Sequence, residues 1–206
     1  MLKNIFGDYI WISSFDLNFN ENYKKHFFSK MGNVNTDTWK ECSVSSSFFN
    51  TEFINNCLVL DFNGMFSKQI TEEFNKFTKQ IEEDDSVAIN LTPMLSNLWY
   101  NIYNYKDNQE LHDHISIHNI TYSFVYILKQ TNNSDTASLI FPNPRSIIFD
   151  YMNLEKKLNI DNYKNIYKPT LNEGDIIIFP SYMQHYVSSH KDIVNDRITI
   201  SGNIII

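Results

Sequence analysis

The chain has 206 residues, of which 42% are hydrophobic and 15% aromatic, with only five Gly and five Pro. This length and composition provide one sizeable core and exclude disordered, collagen-like and linker-rich chains. The formal net charge is −7, from 24 acidic and 17 basic residues. We therefore expect neither a basic face for nucleic acid nor affinity for an anionic membrane surface.

Cysteine content and the amino-terminal segment bear on the cellular compartment. Cys42 and Cys57 cannot by themselves build a disulfide framework or a zinc site, so we expect two reduced thiols. No apolar run reaches the roughly 18 residues of a transmembrane helix. Residues Met1–Asp8 carry charges where a signal peptide needs its apolar stretch. These features predict a cytoplasmic protein without a membrane partner, located in the host cytoplasm if a virus encodes it.

The first 90 residues favour helices. A helix is predicted over Glu21–Met31 and is ended by Gly32. A longer helix is predicted over Phe66–Glu83, because its apolar residues recur at helical spacing and form one stripe. The stripe consists of Phe66, Ile70, Phe74, Phe77 and Ile81.

After about residue 86, short β-rich runs alternate with turn-forming residues. The predicted strands are Val87–Leu91, Leu98–Tyr105, Ser123–Leu128, Ser138–Phe141, Asp175–Phe179 and Arg197–Ile206. The polar segment Lys129–Thr136 predicts a hairpin-like loop. Together these patterns predict a mainly β sandwich or barrel with supporting helices. We expect one domain over residues 1–206, with residues 1–90 as helical or irregular support and residues 91–206 as the β core.

Three of the six histidines suggest a metal site. His112 and His114 are two residues apart, so on a strand both imidazoles project from the same face and can reach one ion. His185 follows the apolar run Ile176–Phe179 and a turn, which makes it the best candidate for a third ligand. An isolated His-x-His pair is more often a surface or hydrogen-bonded pair than a pair of metal ligands. The surrounding sequence is therefore needed to distinguish the two.

Two alternating strands supply polar faces. Arg197 and Thr199 share one face of the last strand, and a guanidinium inside a cavity pairs well with a carboxylate. The alternative is an exposed strand face with a surface arginine. Asn101 and Tyr103 share a face of an earlier strand, where they would offer an amide and a phenol to the same cavity.

The order of these motifs resembles a known family. The residues that carry the resemblance are His112-x-His114, Tyr126, Phe141–Arg145, Gly174–Ser181, His185 and Arg197–Asn203. They resemble the iron(II)- and 2-oxoglutarate-dependent oxygenases that are common in marine phages and bacteria, over roughly residues 97–203. The Asn101-x-Tyr103 strand is also similar to the cosubstrate-contacting strand of nucleic-acid-demethylating oxygenases of the same superfamily.

The resemblance implies a double-stranded β-helix, or jelly roll, that uses O2 to hydroxylate a small molecule or peptide. It assigns His112, His114 and His185 to iron(II) as the catalytic metal ligands. Arg197, helped by Thr199, would bind the distal carboxylate of 2-oxoglutarate. The softer candidates for contact with this cosubstrate are Asn101, Tyr103 and Tyr126.

The sequence departs from the family pattern at two positions. The usual triad has two histidines and one carboxylate, whereas this chain offers a third histidine. Asp113 lies between His112 and His114 and is the alternative ligand, although it would have to break the strand alternation. Gly202 stands where the group usually has Phe.

Two other interpretations are compatible with the same residues. One is a cupin-like three-His metal dioxygenase without an oxo-acid cosubstrate, and the other is a non-catalytic jelly-roll module for binding or structure. Arg197 discriminates between them, because it has a clear role only if an anionic cosubstrate binds. Of the remaining histidines, we expect His118 in the pocket or the core and His190 in a solvated loop.

Overall fold

The structure is a computed structural model and describes residues 1–30, 37–38, 42–48, 59–86, 88–115, 119–158 and 164–206. Within these residues the strands are β1 (Leu2–Ile5), β2 (Asp8–Ser14), β3 (Asp37–Thr38), β4 (Ser45–Ser46), β5 (Met94–Tyr103), β6 (Gln109–His112), β7 (Tyr122–Lys129), β8 (Leu139–Pro142), β9 (Ile166–Tyr167), β10 (Asp175–Pro180), β11 (His185–Val187) and β12 (Arg197–Ile205). The helices are α1 (Leu17–Lys30), α2 (Met65–Asp85), α3 (Ser146–Met152) and α4 (Leu154–Leu158).

The strands form two antiparallel sheets. The large sheet has the order β1-β2-β10-β7-β12-β5-β4-β3, and the small sheet has the order β6-β11-β8-β9. Side chains of both sheets line one small cavity between them. This arrangement confirms the predicted fold class, a mainly β jelly roll with supporting helices.

Strand β12 shows how the alternating sequence separates the two faces of the large sheet. Ile198 and Ile200 belong to an apolar cluster that also includes residues of α1 and α2. Arg197 and Thr199, one residue out of phase, line the cavity on the opposite face. Because neighbouring strands β5 and β7 pair with β12 on both sides, every residue from Arg197 to Ile204 is buried.

Helices α1 and α2 cover the outer face of the large sheet. The predicted stripe of α2 is confirmed, since Phe66, Ile70, Phe74 and Phe77 are buried against the sheet. Burial of each such side chain contributes roughly 1.5–3 kcal/mol. The stripe therefore explains why a helix with a strongly polar outer face docks at this position.

The amino-terminal region differs from the prediction of helical or irregular support. Strands β1 and β2 form a hairpin, and β2 pairs with β10, so they extend the large sheet. The turn of this hairpin places Phe6 and Gly7 at positive φ. Residues 2–14 alternate only in part, because β2 is buried at Ile10 and Trp11 in succession. The period-2 pattern that marks a strand is therefore weak there.

Two further details differ from the sequence-based expectations. Residues 88–91 of the predicted strand Val87–Leu91 have no strand structure, and β5 begins only at Met94. Residues Lys129–Thr136 do not close a hairpin, because β7 belongs to the large sheet and β8 to the small one. The segment instead connects one sheet to the other. A polar composition suits both a hairpin loop and a connection between sheets, so it does not distinguish them.

In the described part of the chain, none of the helices has the length and apolar character needed to cross a membrane. Cys57 and His118 lie outside the described residues.

Candidate active site

His112, His114 and His185 form a cluster at one end of the cavity. One ring nitrogen of each lies within 4.8 Å of those of the other two, and within the described residues these three form the candidate metal-binding group. Their ring centroids are 4.3 Å apart for His112 and His185, 5.1 Å for His114 and His185, and 5.3 Å for His112 and His114. This spacing suits three ligands that bind one ion at about 2.1 Å each.

Backbone pairing brings these histidines together. His112 is the last residue of β6 and lies directly opposite His185, the first residue of β11. His114 lies just beyond β6, and its backbone N–H donates to the carbonyl of Ser181 at 2.8 Å. The turn between β10 and β11 therefore fixes both His185 and the segment that carries His114.

Each histidine uses its Nδ1 for a hydrogen bond. His112 Nδ1 is 2.8 Å from the carbonyl oxygen of Glu110, and His185 Nδ1 is 2.9 Å from that of Met183. His114 Nδ1 is 2.8 Å from Oδ1 of Asn203. Because all three partners are oxygen acceptors, Nδ1 carries the proton in each ring and the lone pair lies on Nε2, as metal-ligating histidines require.

Burial keeps two of these rings neutral. Desolvation, with a smaller contribution from His112, lowers the pKa of His114 to about 4. Desolvation also holds the pKa of His185 well below its usual value, with help from the other two histidines. At neutral pH both rings are therefore imidazoles rather than imidazolium ions, which is the form that binds a metal.

Arg197 lies in the same cavity and is 2% exposed. Its Nε donates to Oε1 of Gln130 at 3.4 Å, and its guanidinium carbon is 5.1 Å from the ring centroid of Tyr103. Its Nη1 is buried without a hydrogen-bond partner, and within the described residues it forms no ion pair. A buried guanidinium in this state is stabilised by an incoming carboxylate.

The other predicted polar residues of strands β5 and β12 also reach this cavity. Asn101, Tyr103 and Thr199 all line it. Asn101 Nδ2 is 3.4 Å from Oγ1 of Thr199, and its buried Oδ1 has no donor. Burial raises the pKa of Tyr103 to about 12, so its phenol stays protonated and donates to Oε1 of Gln109 at 2.9 Å.

Tyr126 does not reach the cavity. Its ring packs against Phe15 at 4.9 Å in the cluster beneath the helices, and its hydroxyl donates to Oδ1 of Asn20 at 2.7 Å. On β7 it is Val125 that lines the cavity, and Tyr126 lies one residue out of phase. The structure therefore removes Tyr126 from the candidate contacts of 2-oxoglutarate.

Asp113 does not join the histidine cluster. Its Oδ1 accepts a hydrogen bond from the N–H of Ile115 at 3.1 Å, and its carboxylate is not part of the candidate metal-binding group. His114 is thus the residue that lies with His112 and His185. His114 lies beyond the end of β6, and its hydrogen bonds to Ser181 and Asn203 hold it in this position.

His190 differs from the expectation of a solvated loop residue. It is 1% exposed, its Nδ1 accepts from the N–H of Ala137, and its Nε2 bonds the carbonyl of Asn195. The ring thereby ties the segment before β12 to the segment before β8. No pattern in a polar loop sequence reveals such a role, since both partners are backbone groups.

Sequence reasoning left Asn203 and Ser123 without a role. Asn203 Oδ1 accepts from both His114 Nδ1 and Ser123 Oγ, each at 2.8 Å. Asn203 is on the same strand parity as Arg197 and Thr199, so the alternation already indicated that it faces the cavity. Trp99 adds a second support, because its ring stacks on that of His114 at 5.6 Å.

Several solved structures share this fold. A prolyl-4-hydroxylase from Pseudomonas putida aligns with a TM-score of 0.56 and 10% identity, covering 95% of this chain and 91% of that one. The α-ketoglutarate-dependent epimerase SnoN from nogalamycin biosynthesis gives 0.63 and 9%, covering 96% and 78%. HygX from Streptomyces hygroscopicus, with nickel and 2-oxoglutarate bound, gives 0.57 and 8%, covering 95% and 82%.

Sequence comparison is more specific than these structural likenesses. A search of curated proteins gave no match. Residues 97–203 match the profile of the family described as "Putative 2OG-Fe(II) oxygenase". That match spans the histidine cluster, Arg197 and both sheets of the jelly roll, and the chain therefore belongs to this family of iron(II)- and 2-oxoglutarate-dependent oxygenases.

Proposed function

We propose that His112, His114 and His185 are the iron(II) ligands of this oxygenase. One ring nitrogen of each lies within 4.8 Å of those of the other two, and a three-ligand site leaves positions for a bidentate 2-oxo acid and O2. Bound iron(II), 2-oxoglutarate and O2 together supply the oxidising chemistry that inserts oxygen into a C–H bond. The chain supplies the ligand geometry, which the hydrogen bonds to Nδ1 hold in place.

Arg197 binds the distal carboxylate of 2-oxoglutarate. Its buried guanidinium lines the histidine cavity, and its Nη1 has no partner within the described residues. Thr199 and Tyr103 place hydroxyl groups along the same cavity, and Asn101 adds an amide. A bidentate guanidinium–carboxylate pair in this dry site both orients the cosubstrate and compensates the cost of burying Arg197.

One observation carries the proposal: three imidazoles lie in a single cavity with a buried guanidinium that has no carboxylate partner within the described residues. A metal dioxygenase without an oxo-acid cosubstrate would need the histidines but not the arginine. A binding or structural module would need neither. We therefore favour hydroxylation of a C–H bond in a small molecule or peptide.

The experiment is an anaerobic titration of the purified protein with iron(II) and then 2-oxoglutarate, followed by the weak visible charge-transfer band of the chelate. We expect the band in the wild type and its loss, together with loss of succinate formation in air, in His112→Ala and His185→Ala. Arg197→Met should still bind iron(II) and should weaken 2-oxoglutarate binding at least tenfold, because it loses a charge-assisted bidentate pair. His26→Ala, outside the cluster, is the matched control.

The outcomes separate the alternatives. Iron binding with no effect of 2-oxoglutarate would favour the dioxygenase without an oxo acid, and no iron binding by folded protein would favour the module. Turnover retained in His185→Ala would overturn the ligand assignment. The cytoplasmic location, the single domain and an origin in marine phages or bacteria stay predictions from the sequence.

A further inference from the structure

A second pocket, of about 230 Å³, opens directly onto the metal-binding histidines. His112 and His114 form part of its wall, so a molecule in this pocket lies next to the metal position. Trp99 and Phe48 contribute aromatic rings with centroids 4.9 Å apart, and Ile115 adds an aliphatic side chain. A pocket in this position, separate from Arg197, is where a substrate would meet the oxidising centre.

Two of the polar residues in this pocket, Asn97 and Asp113, offer hydrogen-bond acceptors. Asn97 Oδ1 is buried and has no hydrogen-bond donor. The carboxylate of Asp113 accepts from a backbone N–H through Oδ1 and forms no ion pair within the described residues. A buried acceptor without a donor is costly, so the binding of a donor here is favoured.

Positive side chains are absent from the lining of this pocket in the part of the chain that the structure describes. With a net charge of −7, the protein as a whole offers little to balance a second anion. An anionic substrate would place a like charge beside Asp113, which disfavours its binding there.

A neighbouring pocket of about 440 Å³ has the same character. It shares Asp113 and Ile115 with the first, and adds Asp8, whose Oδ1 accepts from the hydroxyl of Tyr182 at 2.5 Å. Its other walls include Leu111 and Met183, and its described lining also lacks Lys and Arg. The two pockets thus share a wall at Asp113 and Ile115, and each has a carboxylate in its lining.

We propose that the substrate of this oxygenase carries an ammonium group on an apolar stem. The proposal rests on the proposed function, because it assumes that the histidine cluster is the oxidising centre. Asp113 is the specificity-determining residue that pairs with the ammonium group, and Oδ1 of Asn97 accepts an N–H of the same substrate. The stem lies against Trp99 and Ile115, which brings its C–H bonds next to the histidines.

The test compares probes that differ in the group at the end of the side chain. Each is titrated calorimetrically into the anaerobic protein loaded with iron(II) and 2-oxoglutarate. They are the blocked amino acids Nα-acetyl-lysine methylamide, its norleucine analogue without the amine, and the 2-aminoadipate analogue with a carboxylate. We expect the lysine probe to bind at least tenfold more tightly than the norleucine probe, and the carboxylate probe to bind more weakly still. n-Pentylamine, tested in parallel, distinguishes a free amine from an amino acid residue as the source of the ammonium group.

Two variants locate the effect. Asp113→Asn removes one charge but keeps an oxygen that can accept from Ile115, and we expect it to lower the affinity for the lysine probe about tenfold. Asp84→Asn, on helix α2, makes the same change in net charge on the other side of the large sheet, and it should bind the probe as the wild type does. Binding of the lysine probe that is equally reduced in both variants would reject a specific role of Asp113.

The experiment also separates this inference from the proposed function. If the protein shows the charge-transfer band but the three blocked probes bind equally, or the carboxylate probe binds best, the substrate class is wrong and the oxygenase assignment stands. If the band itself is absent from folded protein, the proposed function fails before any probe is added.

Discussion

His114 is held from two sides, and in the proposed metal site its ring takes the place that a carboxylate has in the usual triad. Asn203 Oδ1 accepts a hydrogen bond from His114 Nδ1 at 2.8 Å, and the ring of Trp99 stacks on that of His114. A third neutral histidine leaves the metal site one charge more positive than two histidines and a carboxylate. The orientation of this ring is therefore fixed by neutral neighbours, an amide and an indole, rather than by a charged one.

We predict that Asn203→Leu weakens iron(II) binding about 10- to 100-fold, because His114 loses the acceptor that fixes its tautomer and ring angle. Asn203→Asp keeps an acceptor in the same position and should retain binding close to that of the wild type. Metal affinity is measured by competition with a chelator of known affinity, and urea unfolding of the apoprotein shows whether each variant is folded. Wild-type affinity in folded Asn203→Leu would show that Asn203 does not position His114.

At the scale of the strand, Gly202 explains a departure from the family pattern. A Cβ at this position would lie 2.5 Å from the ring of Phe124 and 2.6 Å from the carbonyl oxygen of Asn97. Gly202 and Phe124 are direct neighbours on β12 and β7. Phe124 from the adjacent strand thus occupies the space that a side chain at position 202 would need, and glycine is the residue that permits this close approach.

Gly202→Ala should therefore lower the free energy of unfolding by about 1–3 kcal/mol, the usual cost of an extra methyl group in a closely packed core. Phe124→Leu removes most of the ring that the methyl group would meet. In the Phe124→Leu background, Gly202→Ala should lower the free energy of unfolding by less, although the contact with Asn97 persists. A double-mutant cycle from urea unfolding measures the difference, and an equal cost in both backgrounds would show that Phe124 does not determine the glycine.

Strand alternation explains which site residues the sequence could predict. Along β5 and β12, alternation predicts that Asn101, Tyr103, Arg197 and Thr199 face one cavity, and all four line it. Tyr126 was nominated through the family resemblance and not through parity, and it faces the helices. Asn203 follows the same parity rule as Arg197, but an amide has no distinctive spacing that marks it as a partner of histidine.

At the scale of the whole molecule, the large sheet separates two layers with different tasks. Helices α1 and α2 pack on one face through aromatic side chains, and the cavity with the three histidines lies on the other. The periodicity of α2 predicted its buried stripe, because a single apolar face is a local property. The hairpin β1–β2 escaped prediction, because its strands are defined by pairing with β10, about 160 residues away in the chain.

Glu73 connects the helix layer to the sheet and allows the two tasks to be tested separately. It is 1% exposed, accepts from Trp11 Nε1 at 3.0 Å and pairs with Lys76 at 2.6 Å. Glu73→Ala should lower the free energy of unfolding by about 1–3 kcal/mol, since it leaves the indole N–H buried without an acceptor. Glu73→Gln keeps that acceptor and should cost less, because the pair with the exposed Lys76 contributes little.

Both Glu73 variants should bind iron(II) and 2-oxoglutarate with wild-type affinity, since Glu73 lies on the helix side of the sheet and Arg197 on the cavity side. Urea unfolding of the apoprotein gives the stability, and the anaerobic titration gives the affinities. Glu73→Ala should then lower only the free energy of unfolding and leave both affinities unchanged. This result is expected if the helices stabilise the sheet without affecting the site. A loss of metal affinity in a variant that is fully folded in buffer would instead mean that the helices set the geometry of the histidines through the sheet.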